Sequence, residues 1–369
     1  MKILIVCSSL NGGGAERVAV NLANRFSKEG HSVVFFTRHK TVDCYTLDRS
    51  VLRVFPRFGG FINQVLSIRE ILNKRDVDLL ISFTDVPNVA AFLAAFFSKA
   101  CPVFIPTVHT NLKARDVSLK KGIKFRVIRF LHKLACRNSS SVVSVSSGAE
   151  SALIDYYGVD SDRVLTIWNP VLSNEIDVSD FRRPFNHAHQ IKLVGAGRLT
   201  EAKNFFLMLD VVKNLDDVFP NKYTLDIYGE GELKGDLELY SERLGIKKNV
   251  TFKGFVDDLQ VRLAGYSIFV FTSSWEGFGN VLVEALCAGI PVISTDCPSG
   301  PKEILADGKF GRLVPVGNVE AFSAAIEEEV INPLSFSRDE IVNHLDGFRE
   351  DTVMKKYIDL VMRVKSSEK

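Results

Sequence analysis

The sequence predicts an α/β protein built of two domains, each an open parallel sheet flanked by helices. Three observations lead there. Short apolar runs alternate with stretches of helical periodicity through both halves of the chain, and strands alternating with helices imply parallel sheets with right-handed crossovers. At 369 residues the chain exceeds the size at which single cores usually divide. Between the halves, Asn169 to Gln190 is polar and irregular, with Pro170, Pro184, His187 and His189, and is the best linker in the chain.

In the first half, apolar runs place strands at Lys2–Cys7, Ser32–Thr37, Asp78–Phe83, Val103–Val108, Val142–Val145 and Arg163–Ile167. Between them, helical spacing of apolar residues fits Gly14–Lys28, Phe61–Asn73, Asn88–Phe97, Leu119–Arg137 and Gly148–Tyr156. The second half repeats the alternation from Ile191 through Arg312–Val314, with helices near 203–218, 231–244, 279–288 and 318–329. A last helix is expected over Asp351–Lys365. The expected division is therefore 1–175, 190–348 and a closing segment 349–369.

An apolar fraction of 46% with 24% charged residues is that of a soluble globular protein. The six cysteines, Cys7, Cys44, Cys101, Cys136, Cys287 and Cys297, form no C-x-x-C pair and fit reduced thiols in a cytosol. The apolar run Ile3–Val6 is too short for a signal-peptide core, and the longest apolar run, Val89–Phe97, too short to span a bilayer. A cytoplasmic protein without a membrane-spanning anchor is expected.

The net charge of +2 hides an asymmetry: residues 1–170 carry a balance of +10 and residues 171–369 one of −8. Segment 113–137 holds Lys113, Arg115, Lys120, Lys121, Lys124, Arg126, Arg129, Lys133 and Arg137 against Asp116 alone. Within it Leu119, Ile123, Val127, Phe130, Leu131 and Leu134 recur at helical spacing. Such a basic amphipathic helix suits an anionic lipid surface, with Lys120, Lys121, Lys124, Arg129 and Lys133 as the contacts, each worth roughly 1 kcal/mol. The alternative is a helix packed inward whose solvated face is basic.

The strongest local signal is Ser274-Trp275-Glu276-Gly277-Phe278-Gly279-Asn280-Val281-Leu282-Val283-Glu284. The strand-like Tyr266–Thr272 precedes it and helical spacing follows, so Glu276 belongs at a strand's carboxyl tip and Glu284 a turn into a helix. Strand tips of open parallel sheets are where ligands bind, and paired carboxylates there accept from sugar and ribose hydroxyls. Upstream, Gly195-Ala196-Gly197-Arg198 through Lys203 follows another strand and opens a helix. Glycines let backbone approach a phosphate, and Arg198 and Lys203 supply two cations. Tyr228-Gly229-Glu230-Gly231, Gly254-Phe255 and Ser299-Gly300-Pro301-Lys302-Glu303 follow further strands.

This ordered set resembles the nucleotide-sugar half of the retaining glycosyltransferases of family 4, with their E-x7-E element. Gly12-Gly13-Gly14-Ala15-Glu16-Arg17, His109 and Asn169-Pro170 extend the resemblance over most of the chain. It implies the GT-B fold, in which two Rossmann-like domains face across a cleft and the C-terminal helix returns to the first. It also implies roles. Arg198 and Lys203 clamp the leaving diphosphate, Glu276 holds a sugar hydroxyl, and Glu284 accepts from the ribose. The backbone of Gly277, Phe278, Gly279 and Asn280 lies near the donor, as do Gly197, Gly254 and Phe255. From the first domain, Gly13 and Gly14 approach the diphosphate and His109 the transferred sugar.

Many relatives extend glycans on polyprenyl-diphosphate lipids at the inner face of the membrane, which favours the lipid-surface reading of 119–137 and a place in surface polysaccharide synthesis such as O-antigen. A UDP-sugar donor is preferred, with GDP-mannose, a nucleotide-sugar epimerase and a catalytically silent sugar-nucleotide-binding protein as the alternatives. No cofactor and no nucleic-acid partner is implied. Asp76-Val77-Asp78 stands at the amino end of a strand, away from the ligand edge, so no metal site is assigned and transfer without metal is expected. A dinucleotide turn fails at Gly12-Gly13-Gly14, because Arg17 takes the third glycine's place.

Overall fold

The computed structural model describes residues 1–10, 13–39, 44–118, 122–174, 190–256 and 258–367. Gly12, Lys120, Lys121 and most of the expected linker lie outside these residues. The chain forms two compact units, Met1–Pro170 with Glu350–Lys369, and Val171–Arg349.

The first unit holds a seven-stranded, all-parallel sheet in the order β3-β2-β1-β4-β5-β6-β7. The strands are β1 (Lys2–Cys7), β2 (Ser32–Thr37), β3 (Leu52–Val54), β4 (Leu79–Phe83), β5 (Val103–Val108), β6 (Val142–Ser144) and β7 (Val164–Thr166). Its helices are α1 (Gly14–Lys28), α2 (Phe61–Arg75), α3 (Asp85–Phe96), α4 (Leu112–Ser118), α5 (Ile123–Arg137) and α6 (Ser147–Ser151). Both faces of the sheet are covered, so the strands read as continuous apolar runs rather than alternating ones. Ile3 and Ile5 join the core on one face with Val18, Phe26 and Phe35, whereas Leu4 and Val6 join Phe36, Ile68, Leu80 and Ala90 on the other.

The second unit holds a six-stranded parallel sheet, β10-β9-β8-β11-β12-β13. In chain order it runs β8 (Ile191–Ala196), α7 (Phe205–Val218), β9 (Tyr223–Tyr228), α8 (Lys234–Arg243), β10 (Val250–Gly254), α9 (Leu259–Leu263), β11 (Ile268–Phe271) and α10 (Asn280–Cys287). It ends with β12 (Val292–Thr295), α11 (Pro301–Ile304), β13 (Arg312–Val314), α12 (Val319–Ile331) and α13 (Arg338–Asp346). In each sheet the strand order reverses once, between β1 and β4 and between β8 and β11. Crevices beyond the carboxyl tips at such reversals are the ligand sites of open α/β sheets.

The closing helix, α14 (Glu350–Ser367), belongs to the first unit. Val353, Met354, Tyr357, Leu360 and Val361 sit in its core beside Ile3, Phe26 and Ile81, and burial of each such side chain is worth about 1.5–3 kcal/mol. Val171–Asn174 sort with the second unit rather than with 1–175. There Leu172 N–H donates to the Phe348 carbonyl at 3.0 Å, and Arg349 donates to the Asn174 carbonyl at 3.3 Å.

Several expectations need correction. The edge strand β3 is three residues long and partly exposed, too short to signal itself by pattern. Helix α13 was missed although Ser337 and Glu340 form a reciprocal capping box, legible as S-x-x-E. The expected helix 119–137 begins instead at Ile123, after Gly122, and the chain before it forms α4. On the inward face of α5, Ala135 packs against Ala90, Ala91 and Ala94 of α3, His132 bonds Asn88 of the same helix, and Cys136 joins Val108, Val142 and Tyr157, while Ile123, Val127 and Phe130 are exposed. Those three residues of the apolar stripe thus face out, where the inward-packed alternative fails, whereas Leu131 and Leu134 are half-buried and Leu119 lies outside the described residues. Arg129 and Lys133, expected on a lipid surface, turn to protein: Arg129 meets Asp116 and the Tyr156 hydroxyl, and Lys133 the Tyr156 carbonyl. Lys124 stays exposed.

Candidate active site

The second unit builds its site at the β8/β11 reversal. After β8, Gly197 N–H donates to the Tyr228 carbonyl and Leu199 N–H to the Glu230 carbonyl, both at 3.0 Å, so the loop carrying Arg198 lies against the tip of β9. This contact leaves no room for a side chain. A Cβ at Gly229, where φ is +133°, would stand 1.9 Å from the Gly197 carbonyl oxygen. Gly229→Ala is therefore expected to destabilise the second unit by about 2–4 kcal/mol, through a backbone shift in a disallowed region, read as a lowered thermal midpoint. An unchanged midpoint would show that the two loops part easily.

A single 3-10 turn, Glu201–Lys203, follows, and Asn204 then caps α7 by accepting from Leu207 N–H. The tip of β11 is stitched to this turn. Thr272 Oγ1 donates to the carbonyls of Lys203 and Asn204, Ser274 N–H donates to the Ala202 carbonyl, and Thr295 Oγ1 donates to the Ser273 carbonyl. These bonds hold Glu276 beside Lys203. Lys203 Nζ makes an ion pair with Glu276 Oε1, which also accepts from Ser273 Oγ at 2.7 Å. The pair is largely buried, with side-chain exposures of 20% for Lys203 and 10% for Glu276. Cys297 lies close by: burial first, and the Glu276 carboxylate next, push its thiol pKa up, so it is a neutral wall.

Arg198 differs. It is exposed, and its guanidinium has no hydrogen bond or ion pair among the described residues. The structure thus brings Lys203 and Glu276 together, a contact the spacing did not announce, and leaves Arg198 as the uncommitted cation of the loop. Ser273, Thr272 and Thr295 were missed; only the Ser-Ser-Trp-Glu run hinted at Ser273.

Glu284 sits part-buried on α10, which starts directly after Gly279. The Phe278 ring faces the core, 5.8 Å from the Phe348 ring, so only its backbone is left for a ligand. A Cβ at Gly300 (φ +95°) would strike the Phe278 carbonyl oxygen at 1.7 Å, which fixes that backbone against the 299–300 turn. Gly254 N–C backbone is bulged at the end of β10, where its carbonyl accepts from Gly229 N–H, and Phe255 beyond it is exposed.

In the first unit, Gly13 precedes α1 and its carbonyl accepts from Arg17 N–H and Tyr45 Oη. The Glu16 carboxylate folds against Gly13, in the place a Cβ would take. An anion approaching Gly13 and Gly14 therefore requires Glu16 to turn away. The same carboxylate, after burial, pushes the Cys7 thiol up to about 12. His109 stands one residue past β5. Its Nε2 is 2.9 Å from Thr107 Oγ1, its ring is 5.6 Å from that of Phe83, and burial holds its pKa down at about 3, so the ring is neutral. Asp76 and Asp78 serve the amino end of the sheet, pairing with Lys2 and Lys365.

Known proteins share this architecture. The pattern described as Glycosyltransferase Family 4 matches residues 12–173, and that of Glycosyl transferases group 1 matches residues 178–342. A relative from Campylobacter jejuni is 29% identical across the whole of both chains. It is named GalNAc-alpha-(1->4)-GalNAc-alpha-(1->3)-diNAcBac-PP-undecaprenol alpha-1,4-N-acetyl-D-galactosaminyltransferase. A second from the same organism, an N-acetylgalactosamine-N,N'-diacetylbacillosaminyl-diphospho-undecaprenol 4-alpha-N-acetylgalactosaminyltransferase, is 26% identical over 86% of this chain and 87% of its own. Among solved structures, Anabaena HepE with UDP and glucose superposes with a TM-score of 0.79 over 98% of this chain and 99% of that one, at 19% identity. The two matched patterns together span nearly the full length on two parallel-sheet units of GT-B type, and the chain belongs to the family 4 glycosyltransferases.

Proposed function

We propose that this protein is a retaining glycosyltransferase that moves one hexose or N-acetylhexosamine from a UDP-sugar to a polyprenyl-diphosphate-linked glycan in bacterial surface polysaccharide synthesis. The observation that carries this is the buried Lys203–Glu276 pair set beside the uncommitted Arg198 at the β8/β11 reversal. As the sugar leaves, negative charge grows on the diphosphate. Arg198 and the α7-side turn meet that charge more strongly in the transition state than in the ground state. Glu276, already oriented by Ser273 and Lys203, accepts from a sugar hydroxyl, and Glu284 from the ribose. No second carboxylate is assigned as a nucleophile, so retention follows a front-face route in which the departing phosphate takes the acceptor hydroxyl's proton. The undecaprenyl-diphosphate acceptors and N-acetylgalactosaminyl transfer named for both Campylobacter relatives support the acceptor class and an N-acetylhexosamine.

The test is a panel of UDP- and GDP-sugars with a polyprenyl-linked acceptor pool, run with and without chelator. Acceptor-dependent UDP release that survives chelation is expected. Release of a changed nucleotide-sugar without acceptor would mark an epimerase instead, and dependence on added metal would overturn the assignment of the diphosphate charge to Arg198 and Lys203.

The outward face of α5 gives the acceptor a surface to arrive on. Ile123, Val127 and Phe130 are exposed beside Lys124 and Arg126, and among the described residues no helix is long and apolar enough to cross a membrane. Anionic vesicles should sediment the protein, and Lys124→Glu with Arg126→Glu should weaken that binding by about tenfold or more. Unchanged sedimentation would remove α5 from the membrane contact.

A further inference from the structure

The hydrogen bonds beneath His109 determine which of its nitrogens carries the proton. Thr107 Oγ1 lies 3.0 Å from the Ser82 main-chain carbonyl and 2.9 Å from His109 Nε2. A carbonyl only accepts, so the one hydroxyl proton of Thr107 goes to Ser82, and the Thr107 oxygen must accept from the ring. The neutral imidazole is then protonated at Nε2 and bare at Nδ1. That Nδ1 is shielded from solvent and has no partner among the described residues. A buried acceptor left unpaired is destabilising, and a ligand proton would relieve it.

The groups below are committed as well. Phe83 of β4 stands opposite Thr107 of β5, which brings the Ser82 carbonyl under the threonine hydroxyl. Ser82 Oγ donates to Asn88 Oδ1 at 2.7 Å. The Asn88 amide donates to the Thr107 carbonyl and to His132 Nε2, both at 3.0 Å. No neighbour in this set is free to reverse the direction of the Thr107 hydroxyl.

We propose that Thr107 is a positioning residue that fixes His109 as the Nε2–H tautomer, so that Nδ1 is offered as an acceptor to a sugar hydroxyl or amide N–H of the substrate. This rests on the reading of the protein as a glycosyltransferase in which His109 meets a sugar. A carboxylate presented to the same nitrogen would set one acceptor against another, so the device selects for a proton-bearing substituent there.

The test uses the full chain labelled with 15N-histidine, with long-range 1H–15N correlation spectra near neutral pH and the His109 signals assigned by their loss in His109→Gln. A pyrrole-type Nε2 and pyridine-type Nδ1 are expected in the unaltered protein. Thr107→Val should mix or reverse the tautomers and lower kcat by about tenfold to a hundredfold, the scale on which partners that orient a histidine act at metal sites. Thr107→Ser should restore both the tautomer and most of that loss. A pyrrole-type Nδ1 in the unaltered protein would overturn the proposal, as would Thr107→Val with unchanged tautomer and turnover. If Thr107→Val fails to fold, the unaltered spectrum and Thr107→Ser decide. If no donor is turned over, the spectra still judge the tautomer, and the failure falls on the glycosyltransferase reading alone.

Discussion

Glu276→Ala is expected to fold and to lose turnover by about a thousandfold, the upper end of the loss on removing one preorganised polar partner. The site is built around this carboxylate: Ser273 and Lys203 both bond to the same oxygen, and the Thr272, Ser274 and Thr295 hydrogen bonds hold its loop. Oε1 is therefore occupied by protein, and the remaining oxygen is the one available to a sugar hydroxyl. The substitution also strips Lys203 of its partner, which for a fully buried pair costs about 3–5 kcal/mol and is less here because Lys203 keeps a fifth of its side chain exposed. That cost is small enough to leave the second unit folded, because four backbone contacts of the loop do not involve the carboxylate. Glu276→Gln separates the two effects. It keeps an oxygen for Ser273 while losing the charge that holds Lys203. Turnover at saturating donor, with circular dichroism and a thermal melt, measures both. Near-normal turnover in a folded Glu276→Ala protein would remove Glu276 from the chemistry.

The sheets were legible because strands buried on both faces are continuous apolar runs, and all six of the first unit's predicted strands fall within a residue or two of the observed ones. Leu52–Val54 was not, since an edge strand three residues long carries no pattern to detect. Segment 113–137 shows a different limit. Its charge and apolar spacing were visible, but which way the helix faces depends on Ala135 meeting α3 and Cys136 meeting Val108 and Val142, a tertiary choice that periodicity cannot make. At the site, Glu276, Arg198 and Lys203 could be found by residue type and order. That Lys203 pairs with Glu276 while Arg198 has no partner among the described residues could not, because it depends on how the β8 and β11 loops are tied together across the sheet.

That difference between the two cations sets the second large effect. Arg198→Ala should cost about 2–4 kcal/mol of transition-state stabilisation, roughly thirty- to a thousandfold in kcat, with no loss of stability. An exposed guanidinium with no partner among the described residues leaves no unpaired charge there when removed, so its deletion is a clean measure of what it does for substrate. Because charge on the diphosphate grows only as the sugar departs, the loss should appear in kcat and kcat/KM alike rather than in donor KM. Arg198→Lys should recover part of it, since a point charge remains but the planar fork that grips two phosphate oxygens is gone. Lys203→Ala is the contrasting case. It should also slow transfer, yet it leaves the Glu276 carboxylate buried without its cation, so the thermal midpoint should fall as well. If Arg198→Ala lowers turnover by less than tenfold, the diphosphate is held elsewhere. If Lys203→Ala then proves the more damaging in kcat at a temperature where both variants are fully folded, the paired lysine, released from Glu276 on donor binding, is the principal clamp.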